Sequence, residues 1–468
     1  FYEACDKYGL LVIQDFWISG DANGRWLDPM KKEDQWARRQ YPDDHELFVS
    51  SAEDVVKMLR NHASLAIWCG GNEITPSADI LSAIKDDILP RLDGTRWFID
   101  FSNSNEMSFN FKGGNGDGPY GIQDISTFWE EKTWPFNSEV GSVGTGDAVS
   151  LKRFLPKENQ VLPLEMEGTE KVQDEVWSYH KYIDYGSSLK PYGIPTNMED
   201  FADKAQLVNY NQYRGLMEGF SAHMWDWYTG VIMWKTQNPW TALRGQMYDY
   251  YLDPNACLYG TKIGSEPLHA MYNAVQGNIM IVNNTFQPQH DLMLRITTYD
   301  KNGNKKLLTQ VFTYVEKTSV NLIMSIKKQV DILAADEGLF LSVQLLNLDQ
   351  KVISDNFYWL PDAAGNFSGL QNMTNAVLEA SAKKVNDMTV ELTLKNSEAN
   401  TVSFFNRISL VNSKTKERLL PTFYSDNYIS LVPGETKTIY LEYKNLKAAN
   451  VEVEIGGWNS EKQLIGIK

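Results

Sequence analysis

Five apolar residues, Leu65–Cys69, are followed directly by the sequence Gly-Gly-Asn-Glu. A short apolar run of this length is typical of a strand buried on both faces. In a barrel of parallel strands and outer helices, the carboxyl ends of the strands carry the chemistry. Asn72 and Glu73 would stand at such an end, where apolar walls such as Trp68 would raise the pKa of the glutamate and let it protonate a leaving oxygen. The alternative is that Asn72 only caps the next helix.

Strand and helix signals alternate on both sides of this run, which favours a (β/α)8 barrel. We count six strand positions where a closed barrel needs eight, so we expect the first two strands upstream of Phe1. The chain also begins inside a helical pattern that stops at Gly9. Five of these strands are expected at Leu10–Phe16, Leu65–Cys69, Arg96–Phe101, Phe136–Gly141 and Thr229–Lys235. Helices are expected at Asp43–Asn61, Ser77–Leu89 and Phe201–Phe220, and a glycine-rich loop at Gly113–Gly118.

Near Met271 the pattern changes to short alternating strands, which indicates immunoglobulin-like β-sandwiches. We predict a catalytic barrel portion at 1–270, a sandwich at 271–361, a linker at 362–375 and a second sandwich at 376–468. Each sandwich is either a structural buttress or a sugar-binding module, and the lack of a clustered aromatic row favours the buttress. The predicted strands are Asn278–Asn283, Asp291–Tyr299, Lys306–Val315, Leu339–Leu346 and Lys351–Trp359, then Ala376–Ala382, Met388–Lys395, Phe404–Val411, Thr436–Tyr443 and Val451–Gly456.

Composition narrows the class of function. The formal net charge of −16 argues against nucleic acid and anionic membranes as partners, because both need clustered Lys and Arg. No run of 18 apolar residues is present, so no membrane span is expected. The 14 tryptophans suit sugar binding, although tryptophan also fills cores. The three cysteines and six histidines show no ligand spacing, so we expect neither a metal nor another cofactor.

A second acid, Glu139, lies in the short strand end Phe136–Gly141, much as Glu73 lies at the end of the strand Leu65–Cys69. Both acids lie near glycine and would emerge on the same barrel face. Retaining glycosidases need two carboxyl groups about 5 Å apart, one as nucleophile and one as acid and then base. The pair therefore indicates a retaining glycosidase.

Longer strings of residues resemble a known family. Cys5–Trp17, Arg60–Glu73 and Phe136–Ser142 resemble glycoside hydrolase family 2. Tyr228–Gln246 and Asp249–His269 are similar to its branch of mannosylglycoprotein endo-β-mannosidases and exo-β-D-glucosaminidases. The resemblance covers most of residues 1–270.

The resemblance implies that Glu73 is the general acid/base, that Glu139 is the nucleophile and that Asn72 holds the 2-position of the sugar. The glucosaminidases tend to carry Asp in a Gly-Ser-Asp setting, whereas this chain has Gly-Gly-Asn-Glu as in the mannosidases. A β-mannosidase acting on Man-β-GlcNAc is therefore expected, and an exo-β-D-glucosaminidase acting on chitosan oligosaccharides is the alternative. A non-catalytic glycan-binding subunit or an inactive fragment is the alternative of another class.

Several further residues are candidate substrate contacts. Asp15 and Trp17 end their strand at the expected catalytic face, and Tyr120 precedes Glu139 by 19 residues. Tyr120 is either a hydrogen-bond donor to the nucleophile or a loop tyrosine. Trp234, at the end of the last barrel strand, is either the platform under the sugar or core packing.

Trp240 and Arg244, in the loop after that strand, would shape the aglycone side. His180 and His223 are either pocket groups or structural histidines. An upstream segment, on the same gene product or a separate chain, is expected to complete the barrel. The protein is expected outside the cytoplasm, being periplasmic, secreted or in a lysosome-like or vacuole-like compartment, with its signal peptide in that upstream segment.

Overall fold

The computed structural model describes residues 1–19, 42–72, 76–102, 115–163, 174–444 and 451–468. The chain forms two compact units. The first unit is Phe1–Gly118, Thr133–Val140 and Trp227–Met233, and the second is Pro119–Lys132, Gly141–Asp226 and Trp234–Lys468. The domain limits at 270, 361 and 375 stay a prediction.

Six strands of the described residues begin in the first unit and form two sheets, ordered β1-β2-β3 and β4-β5-β6. β4 occupies most of the stretch where we expected the glycine-rich loop Gly113–Gly118, so that prediction is wrong from Asn115 onward. The neighbouring strand overrides the low strand propensity of glycine, and Asn137 Nδ2 donates to Gly118 O at 2.6 Å. The strands are β1 Val12–Asp15, β2 Leu65–Cys69, β3 Trp97–Ile99, β4 Asn115–Tyr120, β5 Phe136–Gly141 and β6 Gly230–Trp234.

Parallel pairing of β1, β2 and β3 aligns their side chains in layers. Ile13 pairs with Ile67, which pairs with Trp97, and one layer further on Asp15, Cys69 and Ile99 are aligned. Because side chains alternate along a strand, these six share one face. We expected β2 to be buried on both faces. Trp68 is fully buried on the helix side, whereas Ile67 is half-buried on the other.

Helices cover the outer face of β1, β2 and β3. The helix His45–Leu59 begins at Asp44, whose carboxylate accepts from Leu47 N at 2.9 Å, and it buries an apolar stripe that includes Phe48 and Val56. The first helix, Tyr2–Tyr8, ends at Gly9 in the left-handed conformation, as its position predicted. A continuous helical run follows β2, with segments Ala78–Ser82, Ala83–Ile88 and Leu89–Leu92.

The second unit contains the long helix Met198–Ala222, capped by Asn197, whose side chain accepts from Asp200 N at 2.9 Å. It packs against the helix Ala256–Gly264, where a Cβ on Gly260 would lie 2.3 Å from Tyr210 O, so the contact requires glycine. The other helical segments of this unit are Ile125–Glu130, Ala148–Lys152, Lys157–Asn159, Glu175–Tyr179, Gly186–Leu189, Lys190–Tyr192, Lys327–Ala334 and Ser368–Gln371.

Two β-sandwiches complete the second unit. The first packs sheet β10-β9-β12-β13 with sheet β11-β8-β7 around one apolar core, and the second packs β14-β15-β19-β17 with β18-β16-β20-β21. The strands are β7 Leu268–Asn273, β8 Asn278–Asn283, β9 Gln289–Tyr299, β10 Lys305–Val315, β11 Ser319–Ser325, β12 Leu339–Leu346, β13 Val352–Leu360, β14 Leu378–Lys384, β15 Thr389–Asn396, β16 Ser403–Asn412, β17 Phe423–Tyr424, β18 Ile429–Leu431, β19 Thr436–Glu442, β20 Val451–Gly457 and β21 Ser460–Gly466.

A buried ionic cluster, here called the Arg–Asp cluster, joins the second sandwich to the rest of this unit. Arg418 donates to Asp253 at 2.8 Å and to Asp147 at 2.6 Å, and Arg407 contacts the same two carboxylates. The Arg418 side chain is 5% exposed. Burial and repulsion from Arg418 lower the pKa of Arg407 to about 10. The cluster is structural, because each carboxylate oxygen faces a guanidinium.

Candidate active site

A cavity of about 650 Å³ opens in the first unit along the inner face of its strands. This volume lies within the range of small-molecule sites. The walls are mainly apolar, with a few polar groups converging on the space. The lining residues are Ile13, Asp15, Ile67, Cys69, Asn72, Trp97, Ile99, Ser102, Phe136, Ser138, Glu139, Thr229 and Ile232.

Asp15 and Cys69 form one polar spot on the cavity wall, at paired positions of β1 and β2. Asp15 is exposed on the cavity side, and the nearby protein partly desolvates its carboxyl group. Burial raises the pKa of Asp15, and a hydrogen bond from the Cys69 side chain acts in the opposite direction. Burial and the nearby Asp15 charge raise the pKa of the Cys69 thiol well above its usual value. The thiol is therefore a neutral hydrogen-bond donor here.

Asn72 lies at the cavity and is held at both its backbone and its side chain. Its N–H donates to Ile18 O at 2.8 Å, and its Oδ1 accepts from Ser102 Oγ at 3.3 Å. The following helix begins at Ala78 with Ser77 at its N-cap. The capping alternative for Asn72 is therefore wrong.

The turn before Asn72 brings the ends of β2 and β3 unusually close. Gly70 N donates to Ile99 O at 2.9 Å, and a Cβ on Gly70 would lie 2.2 Å from Asp100 O. Real Cβ atoms do not come this close to a carbonyl oxygen, so the position requires glycine.

Glu139 lies in β5 with its half-buried side chain on the cavity, beside Ser138. Asn137 points away and is fully buried. Glu73 lies outside the described residues, so its predicted role stays a prediction. The first unit thus brings Asp15, Asn72 and Glu139 to one cavity.

Two tryptophans of the first unit lie elsewhere. Trp68, expected as a wall around Glu73, stacks on Phe16 in the core, with ring centroids 5.6 Å apart, and donates from Nε1 to Asp93 at 2.8 Å. Trp17 is 42% exposed, and its ring lies 5.0 Å from that of Phe48. Trp17 is absent from the cavity lining described above, and its predicted pocket role stays a prediction.

In the second unit, Tyr120 and Trp234 meet edge to face, with ring centroids 6.0 Å apart. Two cations approach the same indole. Arg244 Cζ lies 4.9 Å from the ring centroid, and Lys235 Nζ lies 4.5 Å away. Arg244 Nε also donates to Ser142 Oγ at 2.5 Å. Trp234 is therefore the centre of a polar aromatic group rather than a core residue.

Trp240 belongs to a separate aromatic group of this unit. It stacks on His180 at 5.9 Å and meets the 68% exposed ring of Tyr179 at 5.5 Å. His180 is bound through Nδ1 to Thr241 O at 2.6 Å, and His223 through Nε2 to Trp129 O at 2.8 Å. Both histidines make structural contacts to backbone carbonyls.

The sequence analysis missed several of these residues. Trp97 and Ile99 line the cavity, and their two-residue spacing on a strand could have indicated this. Lys235 and Tyr179 carried no sequence signal, because a single charged or aromatic residue in a loop does not reveal which ring it contacts.

Two models of known protein families match parts of this chain. The family model described as the TIM barrel domain of glycosyl hydrolases family 2 matches residues 1–111, and the Ig-fold domain of exo-β-D-glucosaminidase matches residues 356–460. Residues 1–111 are thus similar to a domain of glycoside hydrolase family 2. The predicted barrel and immunoglobulin-like architecture is thereby confirmed.

Curated relatives of this chain include a mannosidase and exo-β-D-glucosaminidases. It is 35% identical to a mannosylglycoprotein endo-β-mannosidase of Lilium longiflorum, over 99% of the chain and 58% of that protein. It is 27% identical to an exo-β-D-glucosaminidase of Amycolatopsis orientalis, over 99% of the chain and 48% of that protein. The chain thus spans about half the length of the curated relatives it matches.

Solved structures agree on the fold. An exo-chitosanase of Amycolatopsis orientalis matches 99% of this chain and 58% of its own, with a TM-score of 0.80 and 23% identity. A β-D-mannosidase from Dictyoglomus thermophilum matches with a TM-score of 0.72 and 20% identity, over 98% of the chain and 54% of its own.

Among the described residues, no group of His, Cys, Asp and Glu has the arrangement of a metal site, and no helix is long and apolar enough to cross a bilayer.

Proposed function

We propose that this chain carries the catalytic machinery of a retaining β-glycosidase whose substrate is a β-mannoside of the Man-β-GlcNAc type. Glu139 attacks the anomeric carbon and forms a glycosyl-enzyme intermediate. Glu73 protonates the leaving oxygen and then activates the water that releases the sugar. Asn72 holds the 2-position, where contacts strengthen as the oxocarbenium-like transition state forms.

The observation that carries the proposal is the shared cavity of Asn72 and Glu139, in a chain whose residues 1–111 are similar to a domain of glycoside hydrolase family 2. The carboxylate lies on a strand, and the amide is fixed through Ile18 and Ser102. Groups that are held this firmly suit a reaction whose rate depends on the positions of the reacting groups.

Two features support the mannoside over the glucosaminide. The chain has Gly-Gly-Asn-Glu rather than Gly-Ser-Asp at the acid position, and its identity to the lily endo-β-mannosidase is higher than to the exo-β-D-glucosaminidase. The match of residues 356–460 to an exo-β-D-glucosaminidase domain keeps that activity as the second candidate. A glycan-binding chain without catalysis is the third.

We also propose that an upstream segment completes the barrel beside β1 to β6, and that the whole protein acts outside the cytoplasm. Trp97 and Ile232 lie on the inner face with 55% and 42% of their surfaces exposed. Barrel interiors are normally filled by side chains from all strands, so these residues need further neighbours. Adding the upstream segment should protect the amides of β2 and β3 from hydrogen exchange.

The decisive experiment is a substrate panel on the chain with its natural upstream sequence. Aryl β-mannoside, β-glucosaminide and β-galactoside are compared with a Man-β-GlcNAc oligosaccharide. We expect the highest kcat/KM on mannosides, and NMR should detect the β-anomer as the first product. Hydrolysis of only the glucosaminide would favour the second candidate, and binding without hydrolysis would favour the third.

A further inference from the structure

Ser102 holds the turn that presents Asn72 to the cavity of the first unit. Its N–H donates to Gly71 O at 2.9 Å, and its Oγ donates to Asn72 Oδ1 at 3.3 Å. Ser102 itself lines the cavity, with 9% of its surface exposed. One residue therefore contacts both the backbone that precedes Asn72 and the side chain of Asn72.

The backbone of this turn is also fixed by groups other than the Ser102 hydroxyl. The Cys69 thiol lies within hydrogen-bond distance of Gly71 O, with Sγ 3.3 Å away. Asn72 N donates to Ile18 O at 2.8 Å. The main chain at Asn72 is therefore held by the ends of the neighbouring strands, and the hydroxyl of Ser102 acts on the side-chain amide.

The contact with Ser102 determines which half of the Asn72 amide is left for a ligand. A side-chain amide has an oxygen that accepts hydrogen bonds and an NH2 group that donates two. Oδ1 accepts from Ser102, and within the ranges that the structure describes no protein acceptor binds Nδ2. The half-buried side chain lines the cavity. The amide thus offers donors there, and a sugar oxygen is an acceptor for them.

We infer that Ser102 is a positioning residue, which orients the Asn72 amide so that its N–H groups face the 2-oxygen of the sugar. The inference rests on the proposed function and deepens its account of how the 2-position is recognised. Without the Ser102 hydroxyl, the amide is free to rotate and to present its oxygen instead. Hydrogen bonds at the 2-position strengthen in the transition state, so a misoriented amide lowers the rate as well as the affinity.

The test uses the chain with its natural upstream sequence and two aryl substrates, the β-mannoside and its 2-deoxy analogue. The analogue has no 2-oxygen, so the ratio of the two kcat/KM values isolates the contact at this position. In the variant Ser102→Ala, we expect this ratio to fall about fivefold or more, which is the effect of one lost hydrogen bond. Ser102→Thr keeps the hydroxyl and should retain most of the ratio.

The variant Ser64→Ala is the matched control. Ser64 is buried, with 4% of its surface exposed, and it precedes β2, whereas Asn72 follows the same strand. The same atoms are removed far from the turn, so the ratio should change less than about twofold. Partial misfolding lowers both kcat/KM values together, so the ratio does not depend on how much of each variant is active.

A double-mutant cycle determines whether Ser102 acts through Asn72. On the mannoside, Ser102→Ala should lower kcat/KM about fivefold or more in the unmodified protein. In the Asn72→Ala background it should lower kcat/KM less than about twofold, because the amide that the hydroxyl orients is gone. Where the 2-deoxy sugar is hydrolysed too slowly to measure, this cycle decides alone.

The outcomes separate the two proposals. If the mannoside is hydrolysed but Ser102→Ala leaves the ratio unchanged, or lowers kcat/KM equally in both backgrounds, the positioning inference is wrong and the proposed function stands. If Ser64→Ala changes the ratio as much as Ser102→Ala, the inference is also wrong. If the unmodified protein does not hydrolyse the mannoside, the proposed function fails and this inference fails with it.

Discussion

Carboxylates serve opposite purposes in the cavity of the first unit and in the Arg–Asp cluster of the second. In the cavity, Asp15 lies among apolar walls with a thiol as its hydrogen-bond donor, and burial raises its pKa. In the cluster, Asp147 binds two guanidinium groups and Asp253 binds three. The comparison indicates that an acid paired with fixed cations stabilises the contact between domains. An acid among apolar groups can instead still bind and release a proton.

The largest effect on the cavity of the first unit is expected from the variant Glu139→Ala. Loss of the nucleophile should lower kcat on activated aryl mannosides by about 10⁴-fold or more, with little change in the unfolding midpoint. Azide should restore part of the activity by attacking in place of the carboxylate. Normal turnover by this variant would remove Glu139 from the nucleophile role.

Glu73→Ala should give a smaller loss that depends on the leaving group. Substrates with poor leaving groups need the proton and should slow by about 10²- to 10⁴-fold, whereas activated substrates should keep most of the glycosylation rate. The measurement is kcat/KM across a series of aryl mannosides. An equal loss on every substrate would contradict the acid assignment.

The variant Arg418→Met tests the Arg–Asp cluster. It leaves Asp147 and Asp253 short of a partner in a buried site, so the free energy of unfolding should fall by about 3–5 kcal/mol. The matched control Arg295→Met, on a half-buried sheet position, should change it by about 0.5 kcal/mol or less. Urea unfolding followed by fluorescence measures both. A small effect at Arg418 would mean that the cluster does not stabilise the sandwich contact.

Asp15→Asn should have the smallest effect on stability, with the opposite sign. An acid with a raised folded pKa is penalised when ionised, so its penalty grows as the pH rises from the unfolded pKa through the folded pKa. The variant should therefore raise Tm by about 1–2 °C at pH 7 and change little at pH 3. Activity should fall at the same time. A Tm loss at neutral pH would show that the carboxylate stabilises the fold.

The sequence predicted the strands that carry strong local patterns. β2, β5, β8 and β12 lie at the predicted residues, because each is a short apolar or alternating run with clear boundaries. β4 was missed, because glycines in a strand look like a loop until the pairing strand is known. β7 and β11 were missed as well, and both are identified by pairing with β8 rather than by their own pattern.

The candidate site was predictable where a functional residue lies at or near the carboxyl end of a strand. Asp15, Asn72 and Glu139 all lie in such positions and line one cavity. Trp68 shows the limit of this rule. It is close to Asn72 in sequence, but its side chain lies on the opposite face of β2, in the core. The cations at Trp234 could not be predicted, since a ring and its charged neighbours meet only through the loop that follows β6.

The crowding at Gly70 has a consequence for how such enzymes vary. Its α-hydrogen faces the Asp100 carbonyl at a distance that no methyl group can occupy. Even alanine would push the tips of β2 and β3 apart and carry Asn72 with them. The spacing between the ends of β2 and β3 is thus set by the smallest possible substituent, and saturation mutagenesis should find position 70 nearly immutable while neighbouring wall residues accept replacements.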